Sequence, residues 1–306
     1  MARRRKGQKV NGWLILDKPE GLTSTKAVGR VRWLYDAAKA GHAGTLDPLA
    51  TGILPIAFGE ATKTVPFAVE GAKAYRFTVR FGAQTDTDDA EGKVTETSDH
   101  RPTREEIEAA LPQFTGKVSQ VPPRYSAIKV DGARAYDLAR DEENFELAPR
   151  IVTIDRLDLV DHPDSEHCVL EAECGKGTYV RSLARDLGRV LQCLGHVSVL
   201  RRTRVGAFSE AEAVTLEAVE RGAEEGRDAA LALLQPVETA LQDLPALNLS
   251  SSDAARLRQG QPVLLRGRDA PIMTGPVYAV SKGALVALGE VAQGEFKPRR
   301  IFNLPG

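Results

Sequence analysis

The chain has 306 residues, 42% hydrophobic and 27% charged, with a formal net charge of −1. That is ample for a core in one large domain or two unequal ones, and no apolar run reaches the roughly 18 residues of a membrane span. Three cysteines (Cys168, Cys174, Cys193) without a CxxC pair exclude a disulfide scaffold and a zinc ribbon, and a reducing, cytoplasmic setting is expected.

The start, MARRRKGQKV, is basic but leads into no apolar stretch, so residues 1–10 read as a flexible tail rather than a secretory signal. Residues 12–17, GWLILD, form a buried strand ending at the turn Lys18-Pro19-Glu20-Gly21. A helix is predicted over 24–38, with Ser24 as its cap. From Ala74 to Phe81 the pattern alternates: Tyr75, Phe77, Val79 and Phe81 share one strand face, while Arg76, Thr78 and Arg80 share the other. DTDDAEG (Asp86 to Gly92) starts like a calcium loop, but Ala90 and Glu91 occupy the fifth and sixth positions, so it reads as an acidic, solvated hairpin turn. Thr103 and Glu106 make a capping box for the helix EEIEAALPQF.

Val169 to Cys174 reads as a strand and Gly175-Lys176-Gly177 as a turn, without the spacing of a phosphate loop. A helix follows from about 179, with Leu183, Leu187, Val190, Leu191 and Leu194 on its apolar side. Arg201, Arg202 and Arg204 form a second basic group able to meet phosphates on a near-neutral protein. Residues 215–241 read as helical. From Pro245 short β-prone runs separated by Gly and Pro predict a small β-rich domain over 246–306. Hairpins with separated helices indicate an α+β fold, with the larger domain spanning 11–245.

The stretch GHAGTLDPLATGILPIAFGEATK (41–63) sets one acid, Asp47, among small and apolar residues. Asp before Pro is commonly a turn opener. Gly41, Gly44 and Gly52 allow sharp turns or close backbone approach, and Pro48 fixes φ just after the acid. A carboxylate among such neighbours needs a cation or hydrogen bonds to stay charged.

This stretch closely resembles the nucleophile motif of the TruB family of tRNA pseudouridine synthases, which isomerise uridine 55 in the T-loop. Further segments match in the same order: NGWLILDKPEGLTS (11–24), AYRFTVRFGAQTDTDDAEG (74–92), VPPRYSAIKVDGARAYDLAR (121–140), GTYVRSLARDLG (177–188) and LRRTRVGAF (200–208). The end, GEFKPRRIFNL, resembles a PUA domain more loosely, with LVALGE where a glycine-rich stretch is usual. The resemblance implies a pseudouridine synthase fold: a central mixed, mostly antiparallel sheet flanked by helices and loops, with a small PUA-like RNA-binding domain.

It also implies roles. Asp47 acts as the catalytic acid residue, attacking C1′ or taking the C2′ proton; the residues leave both routes open. Arg181 holds the Asp47 carboxylate through a bidentate pair. Tyr75 stacks on the flipped base and offers its hydroxyl for proton transfer. Such stacking recovers about 1–3 kcal/mol of the unstacking cost. His42 wedges into the space the base leaves. Lys18, Tyr179 and Leu200 line the pocket, and Lys63 contacts a backbone phosphate. The isomerisation needs no cofactor or metal. The partner is the T-arm of tRNA, without a guide RNA, since the chain lacks long basic extensions. A monomer is expected. An RNA chaperone that needs no chemistry is the competing reading.

Overall fold

The computed structural model describes residues 7–126, 128–130, 133–141, 145–265 and 273–304. The basic cluster Arg3, Arg4, Arg5 and Lys6, and Ala127, Asp131 and Gly132 of the 121–140 segment, lie outside the described residues.

The first strands are β1 (Gly12–Lys18), β2 (Ala40–His42), β3 (Thr51–Phe58) and β4 (Lys73–Phe81). Two short strands, β5 (Ala83–Thr85) and β6 (Val94–Thr97), flank the acidic turn. Then come β7 (Gly116–Gln120), a small hairpin of β8 (Lys129–Val130) and β9 (Ala133–Arg134), and the long pair β10 (Arg150–Asp164) and β11 (His167–Cys174). β12 (Gly195–Val205), β13 (Phe208–Ser209) and β14 (Val214–Thr215) complete the larger unit. Its helices are α1 (Ser24–Leu34), α2 (Val65–Glu70), α3 (Arg104–Ala110), α4 (Ala135–Arg140), α5 (Val180–Val190), α6 (Leu216–Glu225) and α7 (Arg227–Ala232).

Among the described residues the central sheet runs β14-β1-β3-β12-β4-β11-β10-β7, with β2 paired to β3 and β13 to β12. Only β1–β14 and β3–β12 are parallel, so the sheet is mixed and mostly antiparallel. β1 is apolar throughout because both its faces are covered. Leu14 and Leu16 enter the core that also holds Phe77, Val79, Leu187 and Val197, while Trp13 and Ile15 enter a second cluster with Phe208. β4 is covered on one face only: Phe77, Val79 and Phe81 are buried, and Arg76 and Arg80 face out. The alternation predicted for this strand is present.

The C-terminal unit has strands β15 (Ala246–Asn248), β16 (Val263–Leu264), β17 (Gly275–Ser281), β18 (Ala284–Ala292) and β19 (Glu295–Ile301), in the order β15-β17-β18-β19-β16, with helix α8 (Ser251–Arg258). It has its own core around Leu257, Val277, Val286 and Phe296. Leu285, Leu288 and Phe302 instead pack into the Trp13–Phe208 cluster, tying the two units together.

Several expected elements differ. The helix predicted over 24–38 ends at Leu34, where Tyr35 caps it and Asp36 turns to φ 44°. Thr23, not Ser24, is its cap. The segment 215–241 is broken at Gly226, whose φ of 122° suits glycine, and residues 237–241 form a 3-10 turn. Val190 is 46% exposed rather than on the apolar side of α5. The capping box of Thr103 and Glu106 is formed as predicted.

Candidate active site

Asp47 lies on the loop between β2 and β3, and three contacts fix that loop. The buried Ser24 hydroxyl donates to the Leu46 carbonyl at 2.9 Å and accepts from the Leu46 N–H at 2.8 Å. Lys18, fully buried, donates to the carbonyls of Pro19, Leu22 and Pro48 at 2.8, 2.7 and 3.2 Å. Burial pushes the Lys18 ammonium down to about 8, and Asp47 pulls it back up. Gly52, at φ 94°, lets β3 meet β12: a Cβ there would sit 2.2 Å from the Arg202 carbonyl oxygen.

Arg181, on the first turn of α5, reaches the acid: its Nε is 2.9 Å from Asp47 Oδ2. The predicted bidentate pair is not formed. Nη1 donates to the Thr87 carbonyl and Nη2 to the Tyr125 carbonyl, each at 2.9 Å, and Asp89 Oδ2 lies 3.6 Å from Nη1. The guanidinium is therefore immobilised on every side and offers one edge to Asp47. The Asp47 side chain is 35% exposed, so the carboxylate opens to solvent on one side.

The acidic turn behind this pair is not solvated as expected. Asp88 and Asp89 are 5% and 3% exposed, and Asp88 Oδ2 pairs with Arg185 Nη1 at 2.9 Å. Asp88 takes φ 60°, a conformation Asp tolerates better than most residues. Two arginines of one helix thus face two acids of one turn. Spacing could have signalled this, because Arg181 and Arg185 are four apart on the same helical face.

Tyr75 is half-buried on β4, opposite Arg202 of β12 in the strand register. Burial raises its phenol above the ordinary value, while a side-chain hydrogen bond with Arg202 lowers it. Arg202 is 2% exposed and donates to the carbonyls of Ile53, Thr45 and Gly44 at 2.8, 3.3 and 3.1 Å. Of the basic group expected to meet phosphates, Arg202 is buried, while Arg201 and Arg204 stay partly exposed in ion pairs. Arg201 pairs with Asp17 and Glu210, and Arg204 with Glu173. The period of two that places Leu200 inward on β12 also places Arg202 inward.

Leu200 is buried opposite Phe77. His42 is half-buried on β2, and burial, with Arg202, lowers its imidazole below the usual range. Tyr179 precedes α5, and burial raises its phenol, with Ser126, Arg181 and Asp47 as neighbours. Lys63 is the expected site residue with a different set of partners. Its ammonium is 2.7 Å from both Glu60 Oε2 and the Ile301 carbonyl, and lies over the Phe302 ring. These contacts join it to the C-terminal unit, leaving 27% of the side chain exposed.

A family model described as "TruB family pseudouridylate synthase (N terminal domain)" matches residues 32–180, and one described as "tRNA pseudouridylate synthase B C-terminal domain" matches 181–242. Similarity to the tRNA pseudouridine synthase B of Bradyrhizobium diazoefficiens reaches 59% identity over 306 residues, covering 99% of this chain and 89% of that one. The chain belongs to the TruB family. The tRNA pseudouridine synthase B of Brucella melitensis is 53% identical over 322 residues, with 99% of each chain covered. Among solved structures, a Cbf5-Nop10-Gar1 complex superposes with a TM-score of 0.74 at 24% identity, covering 95% of this chain and 84% of that chain, a likeness of fold. Membership in TruB makes the chain an isomerase acting on tRNA.

Proposed function

We propose that this TruB chain isomerises uridine 55 in the T-loop of tRNA to pseudouridine, with Asp47 acting on the ribose of an everted nucleotide. One observation carries this reading: Asp47 Oδ2 lies 2.9 Å from Arg181 Nε on a loop clamped by Lys18 and Ser24, with one side open. The tRNA names of its relatives at 59% and 53% identity support the substrate class. A glycosidase keeps two carboxylates flanking the scissile bond, one of them handling water. Here Asp88 and Asp89 are turned inward on arginines, while Asp47 stays open on one side. That suits a reaction in which the detached base is kept and water is excluded.

In this reading Arg181 keeps Asp47 aimed while RNA covers the open side. Tyr75 supports the base and offers its hydroxyl for proton transfer. His42 fills the gap in the loop, and Leu200 and Tyr179 line the pocket. Residues 246–306 hold RNA away from the target as a PUA-like unit. The chain works as a monomer in the cytoplasm, without a guide RNA or cofactor.

The test is Asp47→Asn on unmodified tRNA, followed by release of the C5 hydrogen and mapping of pseudouridine. Isomerisation should fall by on the order of 10³-fold or more while tRNA affinity is retained. Near-normal turnover in this variant overturns the assignment. Wild-type protein that binds and refolds tRNA but makes no pseudouridine at position 55 favours the chaperone reading.

A further inference from the structure

Helix α5 begins without a side-chain cap, since Tyr179, the residue before it, makes no capping bond through its own phenol. Its backbone is held from outside. Gln120, the last residue of β7, accepts the Tyr179 N–H at Oε1 over 2.9 Å and donates from Nε2 to the Tyr179 carbonyl over 3.1 Å. Gln120 is 3% exposed. One side-chain amide thus supplies the donor and acceptor a strand partner would, holding Tyr179 extended at φ −108° and ψ 113°. The same carbonyl accepts the Leu183 N–H at 3.1 Å, closing the first turn of α5, so both its lone pairs are used.

Arg181 stands two residues further on. Each residue of an α-helix turns the side-chain direction by about 100°, so the point where α5 begins decides where the Arg181 guanidinium lands. Three further ties between this chain segment and α5 end on backbone carbonyls. Val121 accepts from Ser182 Oγ and Arg185 Nη2 at 2.9 and 2.8 Å, and Tyr125 accepts from Arg181 Nη2. Gln120 supplies its tie through a side chain, and a substitution there leaves those carbonyls in place.

We infer that Gln120 is a positioning residue for the isomerisation: its amide clamp on the Tyr179 backbone sets the start of α5, and so presents Tyr179 and Arg181 to Asp47. The inference rests on the function proposed above.

Gln120→Glu separates positioning from mere structure. An ionised carboxylate of the same shape keeps the acceptor but loses the donor and faces the Tyr179 carbonyl. A protonated carboxyl has one donor and one acceptor and rebuilds the clamp. Burial raises the pKa of such a group, so protonation falls within an accessible range. The ratio of variant to wild-type kcat should be down about 10- to 100-fold near pH 8, the scale of a small misplacement at a reacting centre, and should climb as pH falls toward about 5.5. RNA affinity should stay within about threefold, because Gln120 is buried. Gln120→Met, lacking polar atoms, should show the deficit with a ratio that does not vary with pH.

Both variants are checked for folding by thermal unfolding and assayed on one tRNA beside the wild type. Wild-type kcat near pH 8 in either folded variant overturns the inference. So does a loss carried by KM alone, or a Gln120→Glu ratio unchanged across the pH range. Wild-type turnover at uridine 55 in the same assay reports on the proposed function separately.

Discussion

At the scale of single residues, the site is a carboxylate whose cation cannot move away from it. Arg181 spends its other nitrogens on the carbonyls of Thr87 and Tyr125, so the Nε that meets Asp47 is fixed by bonds that do not involve Asp47. Lysine carries the charge but cannot make that fork. Arg181→Lys should therefore lower kcat by about 10²-fold or more with little change in tRNA affinity, measured by single-turnover kinetics and filter binding. Tyr75→Phe keeps the ring and removes the hydroxyl. RNA should bind normally and turn over poorly, and normal turnover would limit Tyr75 to stacking. His42 gives a pH signature. Its imidazole is held below the usual 6.5 mainly by burial, so the fold favours the neutral form. The stability this confers is present above about pH 6.5 and is lost as pH falls through the lowered value. His42→Asn should flatten the drop in Tm between about pH 6.5 and 5, a difference that repeated melts of the two proteins would resolve.

At the scale of elements, the catalytic loop depends on two side chains that precede it in sequence. Ser24 begins α1, yet its hydroxyl serves Leu46 in both directions while Thr23 caps the helix. Ser24→Ala leaves a buried N–H and a buried carbonyl without partners. That should destabilise the fold by about 2 kcal/mol or more and lower kcat by loosening the acid, as read by denaturant unfolding and turnover on the same sample. The sheet makes a comparable contribution through β4 and β12, whose register sets Tyr75 beside Arg202. A one-residue slip of β12 would turn Arg202 to the opposite face, away from Tyr75.

At the scale of the whole molecule, the C-terminal unit is part of the packing under β1. Leu285, Leu288 and Phe302 cover Trp13, Ile15 and Phe208, and Lys63 and Glu60 bond to the backbone of Ile301 and Asn303. Deleting residues 246–306 would uncover that apolar face, so a truncation tests solubility as much as RNA binding. Phe302→Ala is the sharper probe. Phe302 is 2% exposed, and its removal should destabilise the protein by about 3–5 kcal/mol, visible as a lower Tm in the full chain.

The motifs along the chain carried the family, the α+β class, the buried character of β1, the strand faces of β4, and the pairing of Asp47 with Arg181. Those features are local: a period of two, a capping box, or a short string that few other folds use. Only the tertiary structure decided the partners of charges. It turned the acidic residues Asp88 and Asp89 inward onto Arg181 and Arg185, sank Arg202 behind Tyr75, and gave Lys63 to the C-terminal strand. A charged side chain reads the same in sequence whether it meets water or an opposite charge. The difference lies in desolvation and pairing, which depend on what distant segments bring to within a few ångströms.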